Sequence, residues 1–264
     1  MANKITYKTL QAKKNVEQIV CITAYDALFA SIFDKHVDLI LIGDSLNMSF
    51  NNESDTLTIG MDEMIYHSKA VCRGANRAYI VGDMPFGSYH SIEDALKNAT
   101  RFYKETKVDA IKLEGGKEVA HIIKAIVDSG IAVVGHVGLK PQMARSEGGF
   151  HVQGRDEASI ERVFNDALEV EKAGAIALVL EGTISSLAKD LQRELKIPLI
   201  GIGAGNVCDG QILVWSDAFG FFTNFKPKFV RRFLNGAELV EGALKKYVDS
   251  VKTKDFPGDE ETYL

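Results

Sequence analysis

The sequence predicts an α/β protein, a single (β/α)8 TIM barrel over residues 1–264 with an N-terminal helical extension and a C-terminal helical tail. Three observations carry that reading. The chain has 264 residues, close to the ~250 at which such a barrel closes. Short apolar runs rich in β-branched residues alternate with stretches of helical spacing, as in strands buried on both faces and wrapped by helices. Ionisable residues stand at the ends of successive runs, which in a barrel gathers them around one mouth.

The runs begin with Ile19-Val20-Cys21-Ile22-Thr23 and Val37-Asp38-Leu39-Ile40-Leu41-Ile42. Ala78-Tyr79-Ile80-Val81, Ala110-Ile111-Lys112-Leu113, Ile131-Ala132-Val133-Val134, Ile176-Ala177-Leu178-Val179-Leu180 and Pro198-Leu199-Ile200-Gly201-Ile202 follow. Ala218-Phe219-Gly220-Phe221-Phe222 is read as the eighth strand. Between them, Met61, Met64, Ile65, Ser68, Val71, Cys72 and Ala75 form one helical stripe, and Ile92, Ala95, Leu96, Ala99, Phe102 and Tyr103 another. Ser91-Ile92-Glu93-Asp94 reads as a capping box, and Gly130 and Gly174 as helix stops. An open doubly wound sheet with insertions is the competing arrangement. Two connections, residues 43–60 and 137–156, are long enough to be functional; the second holds Glu147-Gly148-Gly149-Phe150 and is a candidate lid. The acidic stretch after about residue 252 reads as a surface extension.

Hydrophobic residues make up 46% and charged residues 25%, the balance of a globular protein with a substantial core. A net charge of −5 supplies no basic field for nucleic acid or an anionic membrane, so neither partner is expected. Cys21, Cys72 and Cys208 are far apart, without a Cys-x-x-Cys pair, which argues against disulfides and structural zinc and for a reducing compartment. The first residues form no apolar leader, and no apolar run reaches the ~20 residues of a membrane span. A cytoplasmic location is therefore expected.

Asp44, Asp83, Glu114, His136 and Glu181 close or follow the second to sixth runs. A helix N-cap accounts for one or two such residues, not for five in succession. Asp44 and Asp83, each in a Gly-Asp pair, are hard oxygen donors that with Glu114 suit Mg2+, and the absence of a nearby Cys or second His disfavours zinc. Taken singly, either aspartate reads equally as a loop cap. Lys112 lies two residues before Glu114 and so faces the same way. It forms a structural ion pair or anchors a substrate anion as well. Glu181 follows the apolar Leu178-Val179-Leu180, a setting that disfavours the ionised form and suits a general base; its alternative is a helix-dipole acid. Gly201-Ile202-Gly203-Ala204-Gly205-Asn206 lacks the acidic partner of a dinucleotide fingerprint and reads as a tight turn or a close approach to substrate.

These residues sit in segments that resemble the ketopantoate hydroxymethyltransferase family of pantothenate biosynthesis, over nearly the whole chain. The segments are Thr23-Ala24-Tyr25-Asp26, Gly43-Asp44-Ser45-Leu46, Asp83-Met84-Pro85-Phe86, Lys112-Leu113-Glu114-Gly115-Gly116, Gly135-His136-Val137-Gly138-Leu139, Val152-Gln153-Gly154-Arg155, Ile200-Gly201-Ile202-Gly203-Ala204-Gly205 and Asp209-Gly210-Gln211-Ile212-Leu213-Val214. The resemblance implies a Mg2+-dependent barrel that transfers a hydroxymethyl group from 5,10-methylenetetrahydrofolate to the 2-oxo acid 3-methyl-2-oxobutanoate through a metal-stabilised enolate. It implies Asp44 and Asp83 as direct metal ligands with Glu114 close by, and Ser45 and Lys112 as holders of the substrate carboxylate and oxo group. His136 would assist near the developing alkoxide, and Glu181 would be the base. It also implies a homo-oligomer, a decamer of two stacked pentameric rings. The competing functions are a carbon–carbon lyase or mutase of the phosphoenolpyruvate mutase and isocitrate lyase type, and a catalytically silent barrel. The first relies on a reactive loop cysteine, which the long loops lack, and the second on lost rim acids, all of which are present.

Overall fold

In the protein, seen in a computed structural model that describes residues 3–223 and 225–263, eight parallel strands close in chain order. They are β1 (Ile19–Thr23), β2 (Leu39–Ile42), β3 (Tyr79–Asp83), β4 (Ala110–Glu114), β5 (Val133–Gly138), β6 (Ala177–Glu181), β7 (Leu199–Ile202) and β8 (Gly210–Leu213). The last pairs with the first through Ile19↔Gly210 to Ile22↔Leu213. Helix α1 (Tyr7–Lys13) precedes β1, and α2 (Ala27–Phe33) follows it. The short α3 (Leu46–Ser49) and α4 (Met61–Gly74) follow β2, and α5 (Ile92–Glu105), α6 (Ala120–Asp128), α7 (Glu157–Lys172) and α8 (Ser185–Glu194) follow β3 to β6. Ser91 caps α5 through its Oγ on Asp94 N–H, but Asp94 accepts from the Ser91 hydroxyl rather than from its backbone, so the expected box is half formed. Helices α6 and α7 end just before Gly130 and Gly174, both at positive φ.

Alternation decides what each strand sends inward. Ile19, Cys21, Leu39, Leu41, Tyr79, Val81, Ala110, Val134, Ala177, Val179, Ile200, Ile202 and Ile212 form one buried cluster inside the barrel, with Ile5 and Leu10 packed into it. A period of two carried upward from these positions reaches Asp83, Lys112, Glu114, His136 and Glu181. The barrel is thus filled by aliphatic layers below and charged side chains above.

The start of the barrel is tied by a repeated device. Asp38, Asp109 and Asp209 each stand immediately before an even-numbered strand, and each accepts a backbone N–H from the strand before it, at Val20, Ile80 and Leu199 (3.0, 2.8 and 2.9 Å). Each also pairs with a lysine of the N-terminal segment. Lys13 reaches Asp38 at 2.8 Å, Lys4 reaches Asp109 at 2.7 Å, and Lys14 reaches Asp209 at 2.7 Å.

The chain divides into two compact units, residues 1–214 and 215–264. The second contains α9 (Trp215–Ala218) and α10 (Gly236–Thr253), the latter exposing Leu239, Val240, Leu244 and Tyr247. The run Ala218–Phe222 expected as the eighth strand belongs to this unit. It closes α9, with Phe221 N–H donating to Ser216 O and the Phe221 ring against Trp215 at 5.3 Å. The eighth strand is instead Gly210–Leu213. No helix separates it from β7 among the described residues, so the βα spacing used to place it breaks there. A side chain at Gly210 would begin 2.5 Å from the Ile19 carbonyl, so the closing strand starts with a residue that no apolar pattern signals.

Candidate active site

Register brings the charged layer together. Asp83 lies opposite Lys112 on the neighbouring strand, Glu114 opposite His136, and Gly138 opposite Glu181. Asp44 sits two residues beyond the end of β2, where its backbone N–H donates to Asp83 Oδ2 at 3.1 Å. Asp44, Asp83, Lys112, Glu114 and His136 are all buried; the Glu181 side chain stays 17% exposed at the opening, not enclosed by the apolar strand as its sequence context implied.

Lys112 is the hub. Its Nζ is 3.0 Å from Asp83 Oδ1, 3.2 Å from His136 Nδ1 and 4.0 Å from Glu114 Oε1. Burial works against its charge, but Asp83, then Glu114 and Asp44, more than reverse this, and its pKa is raised. An ammonium can only donate, so His136 Nδ1 accepts and its proton resides on Nε2. That Nε2 faces Glu181 Oε2 at 3.4 Å. Burial, and next the Lys112 charge, lower the His136 pKa, so the ring is neutral at pH 7. The result is a line of groups from Asp83 through Lys112 and His136 to Glu181.

The acids outnumber the cation. Burial, and then the charge of Asp83, push Asp44 up to about 7. Burial drives Glu114 well above the usual carboxylate range against the pull of Lys112, with Asp44 adding to the rise. Three buried carboxylates around one ammonium fit a further positive charge, and Asp83 Oδ1 is a buried acceptor with no aligned hydrogen bond. Among the described residues, no three His, Cys, Asp or Glu side chains gather as a chelating group. Asp44 and Asp83 are hard oxygen donors of the kind that Mg2+ takes, few carboxylates with the shell completed by water and substrate oxygens. Glu114 stands behind them: Oε2 accepts Gln142 N–H at 3.0 Å, and Oε1 lies 3.6 Å from His136 Nδ1. Ser45 Oγ is 2.8 Å from Tyr25 Oη at the same edge, and a side chain at Gly43 would meet Ser45 Oγ at 2.7 Å.

Sequence reasoning missed Gln142 and Tyr89, both buried. Gln142 Nε2 donates to Asp44 Oδ2 (2.7 Å) and Met84 O (3.0 Å), and the Tyr89 hydroxyl lies 2.5 Å from Gln142 Oε1. Neither residue lies on a strand or in a periodic pattern, and Pro141-Gln142 in a long loop carries no signal of its own. The same contacts narrow the candidate lid. Gln142 fixes its beginning, and Gln153, whose N–H donates to Gly182 O, fixes its end. Between them, Arg145 reaches the loop after β2 through Asp55 Oδ2, 2.8 Å from Nε and 2.7 Å from Nη2. The glycine-rich turn after β7 is packed, with Gly205 O accepting from Gln211 Nε2 at 2.8 Å.

A closed parallel barrel with carboxylates, an ammonium and an imidazole converging at the carboxyl ends of its strands defines a (β/α)8-barrel enzyme. A family model described as ketopantoate hydroxymethyltransferase matches residues 4–259. The chain belongs to that family of transferases. It is 57% identical over 260 residues to a 3-methyl-2-oxobutanoate hydroxymethyltransferase of Helicobacter pylori (strain Shi470), covering 98% of this chain and 96% of that one. With the protein of the same description from Campylobacter fetus it shares 54%, over 98% of each. Among solved structures, phosphonopyruvate hydrolase in complex with oxalate and Mg2+ matches with a TM-score of 0.63 at 11% identity, over 98% of this chain and 91% of that chain, a likeness of fold.

Proposed function

We propose that this site transfers a hydroxymethyl group from 5,10-methylenetetrahydrofolate to 3-methyl-2-oxobutanoate, giving ketopantoate in the first committed step of pantothenate biosynthesis. The observation that supports it best is the line Asp83–Lys112–His136–Glu181 beside Asp44, which joins an anion-binding cation to a half-open carboxylate. Relatives at 53–57% identity over nearly their whole length bear the name of that reaction.

Lys112 keeps its charge among the acids and meets the substrate carboxylate and oxo group, with Ser45 beside it. Glu181 removes the proton from C3. Neutral His136, its Nε2 3.4 Å from Glu181 Oε2, stands beside that carboxylate and would assist near the developing alkoxide as an Nε2 proton donor. The folate-borne methylene, held by two carbon–nitrogen bonds, opens one of them to an iminium to which C3 forms a carbon–carbon bond; the second carbon–nitrogen bond breaks as water replaces the nitrogen, and both nitrogens end protonated. Water supplies the hydroxyl, and tetrahydrofolate leaves. Asp44 and Asp83 would hold a divalent cation, Mg2+ in this reading, with Glu114 behind; when bound it supplies Lewis-acid polarisation of the 2-oxo group. Residues 144–152 would close over the mouth and exclude water.

The reading extends to one catalytic domain over residues 1–264, a cytoplasmic location and a homodecamer. Exposed Leu239, Val240, Leu244 and Tyr247 on α10 support self-association. No helix among the described residues is long and apolar enough to cross a membrane. The test is proton NMR of deuterium exchange at C3 of 3-methyl-2-oxobutanoate in D2O, with and without Mg2+ and tetrahydrofolate. Mg2+-dependent exchange is expected; no exchange under any condition overturns the proposal.

A further inference from the structure

We propose that Gln142 is a positioning residue that sets the orientation of the Asp44 carboxylate and thereby builds the divalent-cation site, an inference that rests on the reading of Asp44 and Asp83 as its ligands. Gln142 comes from the loop after β5, yet it touches groups at the ends of β2, β3 and β4. Its side-chain nitrogen has two protons and both are used, on Asp44 Oδ2 and on the carbonyl of Met84, the residue after Asp83. Its backbone N–H is used on Glu114 Oε2.

The direction of the amide is fixed from the far side. Burial, with the nearby Glu114 charge, keeps Tyr89 protonated far above neutral pH, so its hydroxyl donates, and Gln142 Oε1 accepts at 2.5 Å. Turned over, the amide would set its oxygen against two acceptors, Asp44 Oδ2 and Met84 O, and would leave the Tyr89 hydroxyl only the longer contact to Glu114 O at 3.3 Å. One orientation therefore satisfies every partner. A glutamine saturated in this way holds one oxygen of Asp44 and leaves the other for a ligand. It also makes the site depend on the seating of the loop: when Lys140–Met143 lifts, Asp44 loses its only side-chain donor among the hydrogen bonds described and Glu114 loses its backbone donor in the same movement.

The test is Gln142→Met, which preserves length and removes both donors and the acceptor. Two measurements are made on the full-length protein: the Mn2+ dissociation constant by electron paramagnetic resonance, and the position of the Asp44 carboxylate in a crystal structure. Outer partners of metal ligands alter affinity by ~10–100-fold. The expected result is Mn2+ binding weakened by about that factor, with Asp44 rotated from its present contact. Tyr89→Phe, which leaves the amide in place without its anchor, is expected to weaken binding by roughly 2–10-fold, and it carries the test if Gln142→Met does not fold. Asp44 unmoved, or Mn2+ affinity equal to wild type in both variants, overturns the inference. Wild-type protein that binds no Mn2+ overturns the cation assignment instead, and the position of Asp44 in Gln142→Met still decides the role of Gln142.

Discussion

The two ends of the barrel use the same residue types to opposite ends. At the start of the strands, Asp38, Asp109 and Asp209 each have their own lysine and their own backbone donor. At the mouth, Asp44, Asp83 and Glu114 share one lysine, and two of them are held toward the protonated form. A carboxylate with matched partners is a fastener. Carboxylates crowded around too little positive charge hold a free-energy cost that a ligand can relieve. Charge balance, rather than residue type, separates the acids that fold this chain from those proposed to work in it.

The comparison breaks most visibly at Glu181. Glu181→Gln is expected to slow C3 exchange by ~10²–10⁴-fold with little change in melting temperature, because the part-exposed side chain has only the 3.4 Å contact with His136 Nε2 to lose; wild-type exchange would remove it as the base. At the other end, Asp209→Ala leaves the Lys14 ammonium only the Gln192 carbonyl and frees the Asn15, Leu199 and Gln192 donors. A loss of roughly 3–5 kcal/mol is expected, read by chemical denaturation, with the activity of each folded molecule retained. If activity falls and stability does not, the division between the ends fails.

A third, smaller effect is a pH dependence. Asp44 ionises near 7 in the folded chain against an ordinary value of 3.8. The folded state therefore binds more protons than the unfolded one, and the metal-free protein loses stability as pH rises through the raised range that Asp44 shares with Glu114. Asp44→Asn should flatten that slope in thermal melts at several pH values; an unchanged slope would assign it elsewhere. Smallest of all is Lys4→Ala. Its pair with Asp109 is more than a third exposed on the lysine side, so less than about 1 kcal/mol is expected. A loss as large as that at Asp209 would show that exposure does not grade the fasteners.

Seven of the eight strands were legible because strands buried on both faces must be continuously apolar, and the rim residues because alternation carries a buried strand's inward face up to its end. Gly210–Leu213 was not, since it begins with glycine for the sake of the Ile19 carbonyl and has no helix before it. Phe219 and Phe221, both half-buried around α9, misled because an apolar run records contact with a core and not backbone conformation. The fasteners were visible in principle, as an aspartate before each of three strands, but their lysines come from 25 to 195 positions away and have no local signature. Gln142 meets Asp44 across 98 residues, a relation that only the closed fold creates.

The aliphatic layers beneath the charged mouth have a kinetic meaning. Packed side chains from Ile19 to Ile212, with Ile5 and Leu10 in the same cluster, fill the barrel interior beneath the mouth. A chamber with a single doorway imposes an order of arrival. In the proposed two-substrate reaction, the molecule seated deeper would enter first, and whatever it becomes would depart last.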